Sequence, residues 1–352
     1  MTLKQDPFAL RRDSLAVPQN NIEGINLDLK TGQVSRTLVI ENTQIDTHNR
    51  LGTNGTSLQP SVTVAVPGTC GELIQGWSNV WDQPVLVSCP ITRYSRITVR
   101  LRADGHIHLP DDTGSYTKAG RAAALLLARL GQSDLGVDIL IDSQLPPGRG
   151  MASSTADVVG VLAGLIVALE QPLSPGEMAG LACQIEPSDS TMFAELTLLA
   201  YRDEGQYQTI GCAPTLPLLL LDPGYGVDTL VFNQRLNLGQ LRTLATTTQA
   251  ALEMLQEGLT TAKPAAIGAA ATLSAQSYQR VVDSPLIWQV MQWAPATGAL
   301  GVVRAHSGSV VGLLYPPGAS LAEPSGWLAR RFEGQILETE LTSGGYSLYS
   351  VE

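Results

Sequence analysis

Lysine is scarce: among 22 basic residues the 352-residue chain has only Lys4, Lys30, Lys118 and Lys263. None follows a glycine. That excludes a Walker-type phosphate loop, whose lysine must stand after its last glycine to reach the β- and γ-phosphates. Cys70, Cys89, Cys183 and Cys212 form no Cys-x-x-Cys pair, which excludes a zinc ribbon or a thioredoxin-like redox site. Charged residues are only 15% of the chain, too few for a disordered or charge-driven body. No apolar run approaches the ~20 residues of a bilayer span. The longest, Val158 to Leu169, reads as a buried helix. No charged-then-apolar segment opens the chain, so no secretory signal is expected and a reducing cytoplasm is the simplest compartment. Basic charge is also in deficit, with a net charge of -10. That balance repels phosphate backbones and anionic lipid, so neither nucleic acid nor membrane is an expected partner and a small-molecule role is favoured.

What is present is a long, rather apolar chain with strands and helices mixed in both halves. Residues 1–60 are rich in Asn, Gln, Thr, Asp and Gly and read as a flexible extension. The globular part is expected to begin with a strand at Val62–Val66, closed by Pro67-Gly68. In the segment 95–102, Ile97, Val99 and Leu101 alternate with arginines, the pattern of a half-buried strand. Tyr116–Leu130 has helical spacing and stops at Gly131. Further strands are expected at 137–141, 217–221, 299–304 and 309–315, and helices around 237–257, 264–277 and 284–294. A composition break near Ala213-Pro214 divides the chain into an extension (1–60) and two α+β lobes (61–213 and 214–352) with a cleft between them.

Leu145-Pro146-Pro147-Gly148-Arg149-Gly150-Met151-Ala152-Ser153-Ser154-Thr155-Ala156-Asp157 lies between an expected strand and the apolar helix. Its glycines permit close backbone approach to a ligand. The Ser-Ser-Thr run offers N-caps for a helix beginning near Thr155. Orphan amides and the positive end of the helix dipole make an anion site here without a lysine. Arg149 is the natural candidate for the cationic contact to phosphate. A plain turn and cap would share much of this pattern.

This segment resembles the phosphate loop of the GHMP kinases, the family of galactokinase, homoserine kinase and mevalonate kinase, whose usual form is Pro-x-x-x-Gly-Leu-Gly-Ser-Ser-Ala-Ala. Met151-Ala152 stands where Leu-Gly is usual. Ala65-Val66-Pro67-Gly68-Thr69-Cys70-Gly71-Glu72-Leu73-Ile74-Gln75-Gly76 is similar to the family's first motif, without its common lysine. Gly301-Val302-Val303-Arg304-Ala305-His306-Ser307-Gly308-Ser309-Val310-Val311-Gly312 is a looser match to its third. Three motifs in order, over residues 62–315, imply a two-lobed α+β fold: an N-terminal lobe like ribosomal protein S5, a C-terminal ferredoxin-like lobe, and the site in the cleft. Cys-Gly-Glu-Leu-Ile-Gln-Gly, Gly-Met-Ala-Ser-Ser-Thr-Ala-Asp and Glu-Pro-Ser-Asp-Ser-Thr-Met-Phe together most resemble the branch that phosphorylates free L-threonine with ATP. The product there is O-phospho-L-threonine, which leads to the aminopropanol linker of cobalamin.

The resemblance assigns roles by position. Pro147, Gly148, Arg149, Gly150, Met151, Ala152, Ser153, Ser154 and Thr155 would hold the ATP phosphates. Ser154 and Glu186 have the hard oxygens that Mg²⁺ takes. Asp189 stands where the Asp-using members keep their catalytic aspartate, and would accept the hydroxyl proton; an N-cap at Ser190 is its plain alternative. Glu72 is expected to hold the substrate ammonium, with Gln75, Ser307 and Gly308 as further substrate contacts. ATP and a small amino acid are the expected partners, and a homodimer stays open. His306 falls in the third motif without an assigned chemistry. A kinase for another small alcohol such as homoserine, or a nucleotide-binding sensor without turnover, are the competing functions.

Overall fold

Two long antiparallel strands, β1 (Ser61–Ser78) and β2 (Gln83–Arg102), organise the fold. Val62, Val64 and Val66 of β1 and Ile97, Val99 and Leu101 of β2 are buried, while Arg100 stays outside, as the alternation requires. β1 does not end at Pro67-Gly68. It continues to Ser78, with register shifts between Pro67 and Ile74. Proline has no amide to give the ladder, so the sequence marks a break in pairing that is not the end of the strand. Gly71 sits in this irregular stretch at φ 62°, and a Cβ there would lie 2.2 Å from the carbonyl oxygen of Arg304. Only glycine allows that approach.

The computed structural model describes residues 26–27, 34–35, 61–109, 115–202 and 205–351. Within residues 1–58, Asn26–Leu27 pairs with Val34–Ser35; the expected flexible extension otherwise lies outside the described residues. After β2 come β3 (Ile107–His108), α1 (Ser115–Arg129), β4 (Gly136–Ser143), α2 (Ser153–Ala168), α3 (Pro175–Ile185), β5 (Leu196–Ala200), β6 (Tyr207–Gly211) and β7 (Leu216–Asp222). The second half holds α4 (Thr229–Arg235), α5 (Leu238–Arg242), α6 (Ala245–Thr260), α7 (Pro264–Tyr278) and α8 (Pro285–Thr297), then β8 (Gly301–Arg304), β9 (Val311–Leu314), α9 (Ala322–Ala329), β10 (Gln335–Leu341) and β11 (Ser347–Val351).

Eleven strands form one sheet in the order β11-β1-β8-β9-β7-β10-β2-β4-β3, with β5 on β2, β6 on β5, and β1 also paired to β2. Residues 61–213 and 214–352 therefore share a sheet within one unit, 59–352. α2 is buried from Thr155 to Ile166, which is why its sequence is apolar on every side. The helix expected over 237–257 is broken at Thr243–Leu244, where the Thr243 hydroxyl donates to the Gln240 carbonyl at 2.7 Å and competes with the helix ladder. Among the described residues no helix is long and apolar enough to cross a membrane. All four cysteines are free thiols.

Candidate active site

The three glycine-rich segments meet. Thr69 N donates to the Met151 carbonyl at 3.1 Å, and Ser309 N and Val310 N both donate to the Arg149 carbonyl at 2.9 and 3.0 Å. Arg304 of β8 pairs with Glu72 of β1. Gly150, at φ 84°, lies so close to the third segment that a Cβ would stand 2.4 Å from Ala305 Cβ. Val227 N donates to the Gly148 carbonyl at 2.7 Å, which docks the loop before α4 on the same turn.

This knot forms one wall of a cavity of about 430 Å³. Pro147, Gly148, Gly150, Met151, Ala152, Ser153, Ser154 and Thr155 line it, with Glu72, Glu186, Asp189 and Ser307. Gln75, Arg149 and Gly308 do not. Gln75 is buried, its Oε1 lying 3.1 Å from His306 Nδ1. Gly308 packs its backbone on Arg149 and Gly150. The guanidinium of Arg149 pairs with buried Asp222 at 3.3 Å. The basic side chain that lines the cavity is Lys118 of α1, which pairs with Glu186 at 2.5 Å. Lys118 carries no motif; the rarity of lysine is the one signal that could have singled it out.

Helix α2 starts two residues earlier than expected. Its N-cap is Ala152, at φ 57°, with no side-chain cap bond, so Ser153 and Ser154 lie in the first turn rather than before it. First-turn amides without a capping side chain, at the positive end of a 16-residue helix, are what an anion needs. The Ser154 hydroxyl donates to Glu186 Oε1. Glu186 is the buried C-cap of α3, not a surface carboxylate. Asp189 lies in the loop after α3, with no helix beginning at Ser190, so it is no N-cap. Its Oδ2 accepts from the Thr155 hydroxyl at 3.1 Å.

Asp189 also meets Glu72. Burial first, and then the charge of Asp189, push the Glu72 carboxyl well above the ordinary carboxylate range; burial raises Asp189 as well. With both groups ionised, Glu72 Oε2 has no donor. Protonated, Glu72 donates to Asp189. The more deeply buried acid keeps the proton, and Asp189 is left as the ionised acceptor at the cavity wall. Glu72 in that state is a donor occupied by its neighbour, which does not suit the ammonium contact expected of it.

Asp157 is a separate case, on the far side of α2's first turn, accepting from Ser95 Oγ at 2.7 Å. Burial raises its pKa from 3.8 to about 6, against the Ser95 hydrogen bond that lowers it. Because the folded value is the higher one, the stability this group gives is complete below about pH 4 and is lost as pH rises through about 6. Asp157→Asn keeps an acceptor for Ser95 without the charge. It should raise the unfolding free energy by about 1–3 kcal/mol at pH 8 and leave it nearly unchanged at pH 4, read by denaturant titration at both pH values.

A helix N-terminus, a cation and paired oxygens beside an ionised aspartate define a small-molecule phosphotransferase site. Residues 116–194 match the family model for the GHMP kinases N-terminal domain. The chain belongs to the GHMP kinases. It is 35% identical over 258 residues to the L-threonine kinase of Citrobacter freundii, covering 70% of this chain and 84% of that protein. To the L-threonine kinase of Salmonella typhimurium it is 31% identical, with 70% and 81% covered. The fold is shared with homoserine kinase from Cytophaga hutchinsonii at a TM-score of 0.63 and 16% identity, over 84% of this chain and 99% of that one.

Proposed function

We propose that the chain transfers the γ-phosphoryl group of ATP to the side-chain hydroxyl of free L-threonine, giving O-phospho-L-threonine for the aminopropanol linker of cobalamin. The observation that carries this is the convergence, in one cavity, of the uncapped N-terminus of α2, Lys118, the Ser154–Glu186 pair and Asp189. The substrate follows from the similarity to two L-threonine kinases over most of their length.

The first-turn amides of α2 and the loop 147–152 hold the phosphates, and Lys118 adds positive charge. Ser154 and Glu186 are hard oxygen donors already in contact, a pair that fits Mg²⁺ when phosphate and water complete its shell. Bound there, the ion supplies neutralisation of phosphate charge. The threonine oxygen forms its bond to the γ-phosphorus as the bond to the ADP oxygen breaks, and its proton passes to Asp189. Glu72, keeping its own proton, holds Asp189 ionised and oriented. Residues from both 61–213 and 214–352 contribute walls of this cavity.

The test is steady-state turnover with ATP on a panel of L-threonine, L-serine, L-homoserine and pantothenate. Threonine should show the highest kcat/KM; a higher value for homoserine would overturn the substrate assignment, and nucleotide binding without turnover on any alcohol would make the chain a sensor. Lys118→Met should raise KM for ATP by about 10- to 100-fold, the loss of one charge-assisted contact, with KM for threonine little changed.

A further inference from the structure

Besides Glu72 Oε2, already described, the cavity's lining residues carry three polar atoms that have no partner. Tyr201 is 1% exposed and its hydroxyl makes no hydrogen bond; Asn233 is 8% exposed and its Oδ1 is likewise unpaired. His306 Nε2 is the third. All three residues line the cavity that holds Asp189. A buried polar atom left without a partner is costly, so three together at a substrate cavity mark a place where a ligand supplies the missing bonds.

The surroundings decide which bonds those are. Gln75 Nε2 donates to the Arg304 carbonyl, which turns Gln75 Oε1 toward His306 Nδ1 at 3.1 Å. The Tyr278 hydroxyl also lies 3.1 Å from Nδ1. A hydroxyl can accept as well as donate, whereas the amide oxygen only accepts, so Nδ1 carries the hydrogen, both oxygens face it as acceptors, and Nε2 presents a lone pair. The ring stays neutral: burial, then the charges of Arg304 and Arg202, bring its pKa down to about 3. The rings of Tyr201, Phe232 and Tyr278 hold it in place, with centroids at 4.8, 5.5 and 5.5 Å. Asn233 Nδ2 donates to the Thr229 carbonyl of its own helix at 2.9 Å, so its free atom is also an acceptor. Two fixed, neutral acceptors want a donor. The carboxylates that line the cavity beside neutral Glu72, namely Glu186, Asp189 and Asp228, outnumber Lys118 and favour a cationic one; Arg304 and Arg202 act on the ring but do not line the cavity.

We propose that His306 Nε2 and Asn233 Oδ1 form the subsite that holds the α-ammonium group of the amino-acid substrate. This rests on the amino-acid kinase reading above and moves the ammonium from Glu72, whose carboxyl is engaged by Asp189, to His306 and Asn233. Gln75 then acts as a positioning residue: it never meets substrate but sets the tautomer of His306.

The test compares L-threonine with (R)-3-hydroxybutanoate, which lacks only the amine, in wild type, Asn233→Leu and Asn233→Asp. Asn233→Leu keeps the volume and removes the acceptor. It should raise KM for threonine by about 10- to 100-fold, leaving KM for ATP and for the deaminated analogue unchanged. Asn233→Asp keeps an acceptor and adds a charge that suits an ammonium but repels a carboxylate, so KM for threonine should stay within about threefold of wild type. His306→Phe, which keeps the aromatic packing, should reproduce the leucine result. Equal losses on both substrates, no loss on either, or an aspartate variant as weak as the leucine one would overturn the proposal. If wild type turns over neither compound, the threonine reading fails by itself. The same comparison with L-homoserine and 4-hydroxybutanoate then decides the subsite, and a wild type that never prefers the amine-bearing partner contradicts it.

Discussion

Asp189→Asn should lower kcat for threonine phosphorylation by about 10²- to 10⁴-fold, the span that a positioned general base contributes. Asparagine has the same shape and can still accept from the Thr155 hydroxyl, which meets Asp189 at 3.1 Å. KM for ATP and the thermal midpoint should therefore stay near wild type. What is lost is the ionised oxygen that takes the hydroxyl proton. Single-turnover measurements at saturating ATP and threonine isolate this chemical step from product release. A variant within about threefold of wild type would show that Asp189 neither accepts the proton nor orients the hydroxyl.

The largest effect on stability is expected at Gly71. Alanine there would place its Cβ 2.2 Å from the Arg304 carbonyl oxygen while holding a φ of 62°. The left-handed conformation costs about 1–2 kcal/mol for a residue with a Cβ, and forcing an atom into a packed interior costs about 1–3 kcal/mol more. A total loss of about 2–5 kcal/mol is a large share of the 5–15 kcal/mol that holds a typical domain. Denaturant unfolding of Gly71→Ala against wild type reads it directly. Because Gly71 sits where β1 meets β8 and lies beside Glu72, activity should fall with stability. A variant as stable as wild type would mean that β1 and β8 do not approach as closely as described.

Much of the site was legible because its residues come in local patterns. Two glycines and a serine run before an apolar helix are a local pattern that suits an anion site, and the residues of Gly148–Thr155 other than Arg149 do line the cavity. Ser154, Glu186 and Asp189, up to 35 positions apart, do converge there. What the sequence hid was the choice of partner. Nothing local says that Arg149 pairs with Asp222, contributed by β7, or that Lys118, three residues into α1, lines the cavity. Glu72 and Gln75 are expected as substrate contacts, but Glu72 lines the cavity and Gln75 does not, and the groups they meet, Asp189 and His306, stand more than 100 positions away. Asn233 carries no motif and His306 falls in one that assigns it no chemistry, and their free acceptors exist only once the hydrogen bonds of their other atoms are known.

The fold shows the same division. The alternation of 95–102 and the apolar helix after Asp157 translate directly into half-buried and fully buried elements. β1 was cut short because Pro67-Gly68 breaks the ladder without turning the chain. No local pattern predicts strands β5, β6, β10 and β11. β6 and β11 include exposed residues such as Tyr207 and Leu348, and β11 depends on a partner, β1, far along the chain.

Phosphate transfer onto the threonine side chain is tested most directly by incubating the purified chain with ATP, Mg²⁺ and free L-threonine and following the product by ³¹P NMR with proton correlation. The expected result is O-phospho-L-threonine, its phosphorus coupled to the threonine β-proton, formed in equal amount with ADP. ADP released without phosphothreonine, or no ADP at all under saturating nucleotide, would contradict it.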